Sequence, residues 1–559
     1  MQIKEQLEHI VGQALDQCVA SGQLALDEVP APSLERPRDM ANGDWASTVA
    51  MRCSKAARKN PREIAKLIVD AIPQNDIIAA TEIAGPGFIN FRLTTKVLAN
   101  VVADVREAGE DYGRSALPEP MRVNLEYVSA NPTGPMHVGH GRWAALGDAT
   151  ARVMRHAGYD VYEEFYVNDH GVQMDVFGNS IAIRYLQLLG HDVELPENCY
   201  GGSYVTDIAR GILGRDGDKW ENVGAKERLV AFRELGYKAM LQDVKDTLSR
   251  FGNHFSRFFS ERSLYEPDEQ GATAVDRALQ AFKDKGYVYE DAGATWFAST
   301  AFGDEKDRVL IKENGEMTYF MSDCAYHYNK MQRSFDHLID IWGADHHGYV
   351  KRCEAMLEAW GYPGALEVVL GQLVNLLRNG EPVRMSKRTG EMVTFKELID
   401  EVGVDATRFL MLSRSSDQMI DFDIEEAKKQ DASNPVYYVQ YAHARICSIL
   451  RKAEEMGIRI DNMDEADLGL LDKPEELALC TKMDEFTDLV ALAARERAPF
   501  KLTHYAQELA SAFHVFYTNC RVIDEEPKIR FSRLALIDAV RTVLALTLSL
   551  LGVSAPSKM

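Results

Sequence analysis

Paired cysteines are missing from this 559-residue chain: its eight cysteines are scattered without one C-x-x-C pair. That excludes a zinc ribbon and a disulfide-stapled scaffold, and it suits a reducing, cytoplasmic setting. Long apolar runs are missing too. The longest, Val543–Val553, is too short to cross a bilayer and follows Asp538 and Arg541, so it reads as a buried helix. The start, MQIKEQLEHIVGQAL, has the acidic residues of an amphipathic helix and lacks the pattern of a cleavable leader. Internal repeats and low-complexity tracts are absent. Positive charge is scarce, with 63 Lys and Arg against 85 Asp and Glu and a net charge of −22. Such a balance disfavours polyanion binding by the surface as a whole, but a local basic face remains compatible with it.

What is present is the composition of a soluble globular protein, 46% apolar and 26% charged. The length predicts roughly three or four domains. Residues 1–115 read as an α+β unit, with a helix over Ile3–Leu26, two helices broken at Asn60-Pro61, and a turn and short strand in Ala84–Leu93. Its basic cluster of Arg52, Lys55, Arg58, Lys59 and Arg62 is either a polyanion-binding face or a solvated helix face. Ala116–Pro120 reads as a linker. Residues 116–404 alternate strand and helix patterns, as expected of a Rossmann-type parallel sheet, and charged helical sequence over about 190–307 reads as an insertion between the two half-sheets. The second half contains strands HLIDIWG and LEVVLGQLV and a helix that Thr394 and Glu397 cap and Gly403 ends. From 405 to 559 no strand pattern remains and an all-α helical bundle is predicted.

The chain is organised around Ser129–Arg142, SANPTGPMHVGHGR. An alternating run, Val123–Tyr127, precedes it; a helix-period run, Trp143–His156, and a second apolar run, Val161–Val167, follow, so the pattern is one βαβ unit. The loop leaving the first strand of such a unit meets a helix N-terminus, where unpaired N–H groups favour anions. Here it carries His137 and His140, with Gly139 and Gly141 beside them. Small residues admit phosphate oxygens to the backbone, and imidazoles donate to charge growing on phosphorus. Metal binding by the two histidines and a purely structural turn are the competing readings of this loop alone.

A second stretch, Arg384-Met385-Ser386-Lys387-Arg388-Thr389-Gly390, follows a strand of the other half-sheet. Alone it is a solvated turn as readily as a site. Paired with a histidine loop across a switch point, its lysine can offset charge that develops in phosphoryl attack.

MHVGH resembles the HIGH signature of class I aminoacyl-tRNA synthetases, and RMSKR the KMSKS signature, with Arg384 replacing the first lysine. EYVSANPTGPMHVGHGR, YVNDHGVQ, FFSERSLY, GADHHGYVKR, NPVYYVQYAHAR and LLGVSAPSKM are similar to segments of the arginyl-tRNA synthetase family. The resemblance implies two steps: activation of L-arginine by ATP, accompanied by Mg²⁺, and transfer to the 2′-OH of the terminal adenosine of tRNA(Arg). It also implies that tRNA must be bound before activation. It assigns catalysis to His137, His140 and Lys387, and ATP binding to these with Pro135, Gly139, Met385, Ser386 and Asp345. A guanidinium is planar, multi-donor and always charged, so its pocket needs carboxylates. Asp323 with Tyr319 is expected to take it. Glu126, five residues before Asn131, and Asn131 itself are expected at the other charged groups, with His346 and Glu261 beside them. Each carboxylate has the alternative of an ordinary structural ion pair. Tyr441 and Arg445, four apart on one helix face, are implied in anticodon reading, Asn90 (near Phe88) in contact with the tRNA elbow, and Met559 in tRNA binding. A monomer in the cytoplasm, with no membrane partner, is expected.

Two rivals stand beside this reading. A small-molecule nucleotidylyltransferase shares a His-x-Gly-His loop but is shorter and lacks a helical C-terminal domain. A non-catalytic RNA-binding relative has no need of His137, His140 and Lys387, all of which are here.

Overall fold

Thr94, Thr318 and Thr394 each begin a helix by accepting a backbone N–H three residues on, and Asn60 does so two residues on with Pro61 at the first helical position. Thr394 and Glu397 form the expected capping box. The computed structural model describes residues 3–37, 39–115, 119–383, 393–459 and 466–559. The first helix, Ile3–Ala20, covers a four-stranded antiparallel sheet in the order β1 (Leu34–Glu35), β2 (Trp45–Ser47), β4 (Phe88–Leu93), β3 (Ile78–Ala84). The two helices broken at Asn60-Pro61 are Val49–Ala57 and Pro61–Ala71.

The central sheet holds β5 (Arg122–Glu126), β6 (Asp160–Val167), β7 (Arg257–Ser260), β11 (His337–Gly343) and β12 (Leu366–Gly371). Its order is β12-β11-β5-β6-β7 and every pairing is parallel. The chain moves outward from β5 through β6 to β7, then returns to lay β11 on β5's other side. The carboxyl ends of β5 and β11 therefore border the crevice where the winding reverses. β5 is buried on both faces although its sequence alternates, so Asn124 and Glu126 are buried as well as Val123 and Leu125.

Three expectations need correction. The stretch 190–307 is not wholly an insertion, because it contains β7, an edge strand of the central sheet. β7 is only RFFS, too short to register as a pattern. The true additions are the Ser203–Asp216 and Ala225–Arg250 helices, which pack with Val172–Leu188 around Phe177 and Phe232, and a small antiparallel sheet of β8 (Val288–Asp291), β9 (Ala294–Phe297) and β10 (Arg308–Ile311). LEVVLGQLV is not one strand: it breaks at Gln372 into β12 and β13 (Val374–Arg378). Finally, a strand does follow residue 405. β15 (Ile420–Asp423) pairs parallel with β13, whose other neighbour is β14 (Glu381–Pro382). The helical bundle proper runs through Pro435–Glu455, Pro474–Glu496, Phe500–Asn519 and Pro527–Leu550.

Candidate active site

Just past β5 come two consecutive left-handed residues, Val128 (φ 70°) and Ser129 (φ 44°). A β-branched residue is strained there, and such strain persists where the surroundings over-determine it. Ser129 is the clamp: its hydroxyl donates to Glu126 Oε1 at 2.9 Å and accepts the Tyr166 N–H at 3.1 Å. The chain then runs to His137, the N-cap of the Val138–His156 helix. His140 folds back so that its Nδ1 accepts the His137 N–H at 3.1 Å, which makes Nε2 of the neutral ring the donor. The two rings stack with centroids 3.7 Å apart. A pair of imidazoles thus stands at a helix N-terminus, beside half-buried Pro135 and Gly139.

Thr394 forms an isolated bridge with His137, and the Phe395 N–H donates to Met136 O at 2.8 Å. The segment returning from residues 384–392 is therefore fastened to the histidine loop. Lys387, Met385 and Ser386, with Arg384, lie outside the described residues. Gly141 is smaller than its neighbours for a reason other than phosphate access: a Cβ there would fall 2.3 Å from the Phe395 ring.

Carboxyl groups gather at the same edge of the sheet. Asp323, on the Tyr319–Gln332 helix, accepts from the Tyr349 hydroxyl at 2.5 Å, and burial pushes its pKa up to about 6. Glu261 is 6% exposed, takes a hydrogen bond from Tyr166, and is raised by burial to about 7. Among the described residues neither has a Lys or Arg within ion-pair distance. Both, with Glu126, act electrostatically on the Tyr166 phenol. Glu126 differs from them because Lys330, fully buried, contacts it at 2.6 Å and Asp340 at 2.8 Å, with His327 3.0 Å from Asp340. Burial raises Glu126 and the ammonium pulls it back. Lys330 is thus shared between Glu126 and Asp340, the structural alternative weighed above, and the net shift of Glu126 stays upward.

Asn131 is exposed and donates to Gln173 Oε1 at 3.3 Å. Tyr319, 83% exposed, opens the helix that bears Asp323. Asp345 and His346 sit exposed on the turn after β11, 3.7 Å from one another. Tyr166, Tyr349 and Lys330 escaped sequence reasoning. The first two lie inside the quoted motifs; only tertiary contact singles out Lys330.

Farther off, Tyr441 is 39% exposed, and the Arg445 guanidinium lies 4.8 Å over the ring of Tyr517. Met559 is exposed. The expectation for Asn90 is weakened: it sits in β4 between Ala46 and Glu82 and is only 5% exposed, so little of it is open to a partner. Period-two alternation could not show that this face is covered at Asn90 and open again at Arg92, two residues on.

The model described as "tRNA synthetases class I (R), catalytic domain" matches residues 102–194 and 237–448. "Arginyl tRNA synthetase N terminal domain" matches 5–93 and "DALR anticodon binding domain" 439–559. The arginine–tRNA ligase of Syntrophotalea carbinolica is 45% identical over 559 residues, covering 100% of both chains. The chain belongs to the arginyl-tRNA synthetase family. A second family member, the arginine–tRNA ligase of Geobacillus kaustophilus, is 46% identical over 564 residues, or 100% of this chain and 99% of its own. The arginyl-tRNA synthetase of Thermus thermophilus shares the fold with a TM-score of 0.76, at 24% identity and with 100% of both chains covered. As in the family, this is a class I enzyme whose Rossmann-type core lies between an N-terminal domain and a helical anticodon-binding domain, and ATP is the nucleotide it uses. Among the described residues no helix is long and apolar enough to cross a membrane.

Proposed function

We propose that this chain esterifies tRNA(Arg) with L-arginine in two steps at the crevice beside β5 and β11. The arginine carboxylate attacks the α-phosphorus of ATP; the new P–O bond forms as the bond to pyrophosphate breaks, leaving arginyl-adenylate. The 2′-OH of the terminal adenosine then attacks the arginyl carbonyl carbon, loses its proton, and AMP departs. No covalent enzyme intermediate is required. His137 and His140 donate to the phosphate charge, and the Lys387 ammonium offsets it from the other side. Mg²⁺ arrives with the nucleotide. Asp323 and Glu261 take the guanidinium and Tyr319 packs over it, while Asn131 holds the α-amino end. Glu126, hydrogen-bonded by Lys330, shapes the pocket wall.

The observation that carries this reading is one edge of a sheet bearing both a stacked imidazole pair and two carboxyls with no Lys or Arg partner among the described residues. A site of that kind suits a fixed cation and a triphosphate together. tRNA binding is assigned to exposed Tyr441 and Tyr517 with half-buried Arg445 between them, and to Met559, and the working enzyme to a cytosolic monomer. The division 1–115, 116–404 and 405–559 serves as a functional partition, with β15 kept beside β13.

Charging total tRNA with each of the twenty amino acids tests the reading. Arginine alone is expected to be attached, and pyrophosphate exchange into ATP should need both arginine and tRNA. Exchange with no amino acid present would favour the nucleotidylyltransferase rival. A His140→Ala, Lys387→Ala double variant that aminoacylates normally would remove the assigned chemistry.

A further inference from the structure

The loop from Asn131 to Pro135 joins the amino-acid side of the site to the histidine pair, and it is gripped from outside the central sheet. Tyr204, in the first turn of the Ser203–Asp216 helix, sends its hydroxyl to the Thr133 carbonyl at 2.9 Å. Thr133 is buried, so its carbonyl needs that donor. Burial pushes the Tyr204 phenol well above the usual tyrosine range, so it stays protonated and able to donate. Two glycines make room for the arrangement. A Cβ on Gly134 would stand 3.1 Å from the Tyr204 hydroxyl, and one on Gly202 would fall 2.5 Å from its ring. The ring in turn stacks on Phe177, in the buried core that the three helices of this region share. A second hold comes from the same helical unit: Gln173, on the Val172–Leu188 helix, accepts the Asn131 amide N–H at 3.3 Å. That leaves the Asn131 carbonyl oxygen facing the task of accepting from an ammonium.

We propose that Tyr204 is a positioning residue, through which the added helices set the Asn131–Pro135 loop for the activation step. The family's catalytic model passes over residues 195–236, the stretch that contains Tyr204. The inference rests on the proposed function, because it concerns the alignment of the arginine carboxylate with the α-phosphate. Loss of about 1 Å in such an alignment costs on the order of a hundredfold in rate. Loss of one of two anchors should cost less, about tenfold. A role confined to gluing the helices onto the core would instead lower stability and leave each competent site as fast as before.

Tyr204→Phe removes the hydroxyl and keeps the ring on Phe177. The measurement is arginine- and tRNA-dependent pyrophosphate exchange, per active site by titration, with Tm recorded alongside. The expected result is a fall of about tenfold in kcat, with KM for ATP changed less than about threefold and KM for arginine raised modestly. Tyr204→Leu, which also loses the stacking, should fall further and lose Tm. A titrated kcat within twofold of the wild type for Tyr204→Phe overturns the proposal, whatever the Tm. If the wild type itself shows no arginine-dependent exchange, it is the functional reading that fails.

Discussion

Glu261 and Asp323 keep protons at pH values where the same side chains in an unfolded chain have lost them, with pKa values near 7 and 6 against ordinary values of 4.5 and 3.8. The cause is burial beside other carboxylates with no compensating ammonium. Because the folded values are raised, the stability these groups contribute is largest below about pH 4 and is lost as the pH climbs from there through about 7. A bound guanidinium reverses the preference by favouring both charged forms. Arginine binding to the enzyme–tRNA complex near pH 6.5 should therefore release protons, and KM for arginine should fall as the pH rises from about 6 to about 8. Calorimetry in two buffers of different ionisation heat reads the release directly. Equal heats in both would remove these carboxyls from the arginine pocket. Glu126 should take a smaller part, since Lys330 already stands against it.

At the scale of the element, the Val138–His156 helix does two jobs from its first turn. It presents the imidazole pair, and it packs closely enough on Phe395 to secure the segment returning from residues 384–392. Gly141 is what permits that contact. Gly141→Ala should force Phe395 aside, destabilise the protein by about 1–3 kcal/mol, and raise KM for ATP more than KM for arginine. Thermal melts and exchange kinetics together check it. An unchanged KM for ATP would separate the Phe395 contact from the loop's function. Arg142, next along the helix, donates to the carbonyls of Gln372, Ser415 and Gln418, so the same turn also braces the small β13–β15 sheet.

Across the whole molecule, Arg408 is the place where the parts meet. Its fully buried guanidinium pairs with Asp148 on the histidine helix, donates to Phe251 O at 2.8 Å, and to Leu551 O at 3.0 Å where the last long helix ends. Three regions distant in sequence thereby share one cation. Arg408→Leu leaves Asp148 buried beside Arg152 alone and should cost about 3–5 kcal/mol. The expected signature is a lower urea midpoint and a second unfolding step as the helical bundle uncouples from the core. A single cooperative transition at the wild-type midpoint would deny Arg408 that role. Arg36 with Asp484, and Tyr112 with the Met483 carbonyl, join the N-terminal domain to the bundle in the same way.

Local rules were enough for much of this chain. The βαβ turn at Ser129–Arg142, the Thr394 cap, the breaks at Pro61 and the amphipathic helices of the bundle all follow from spacing and end-residue chemistry, which act within a few residues. The choice of carboxylates to stand with the histidine loop came instead from the resemblance to the arginyl-tRNA synthetase family. What local rules could not reach depends on who sits opposite whom. β7 and β15 are four residues each, too short to carry a period, and exist because a neighbouring edge offers hydrogen bonds. Glu126 and Asp323 look alike in sequence; only the fold puts Lys330 against one and leaves the other without an ammonium. Asn90 is 5% exposed in a strand that β2 and β3 flank on either side. Burial and charge compensation are properties of long-range contact, and they decided which of the right residue types could serve as a site.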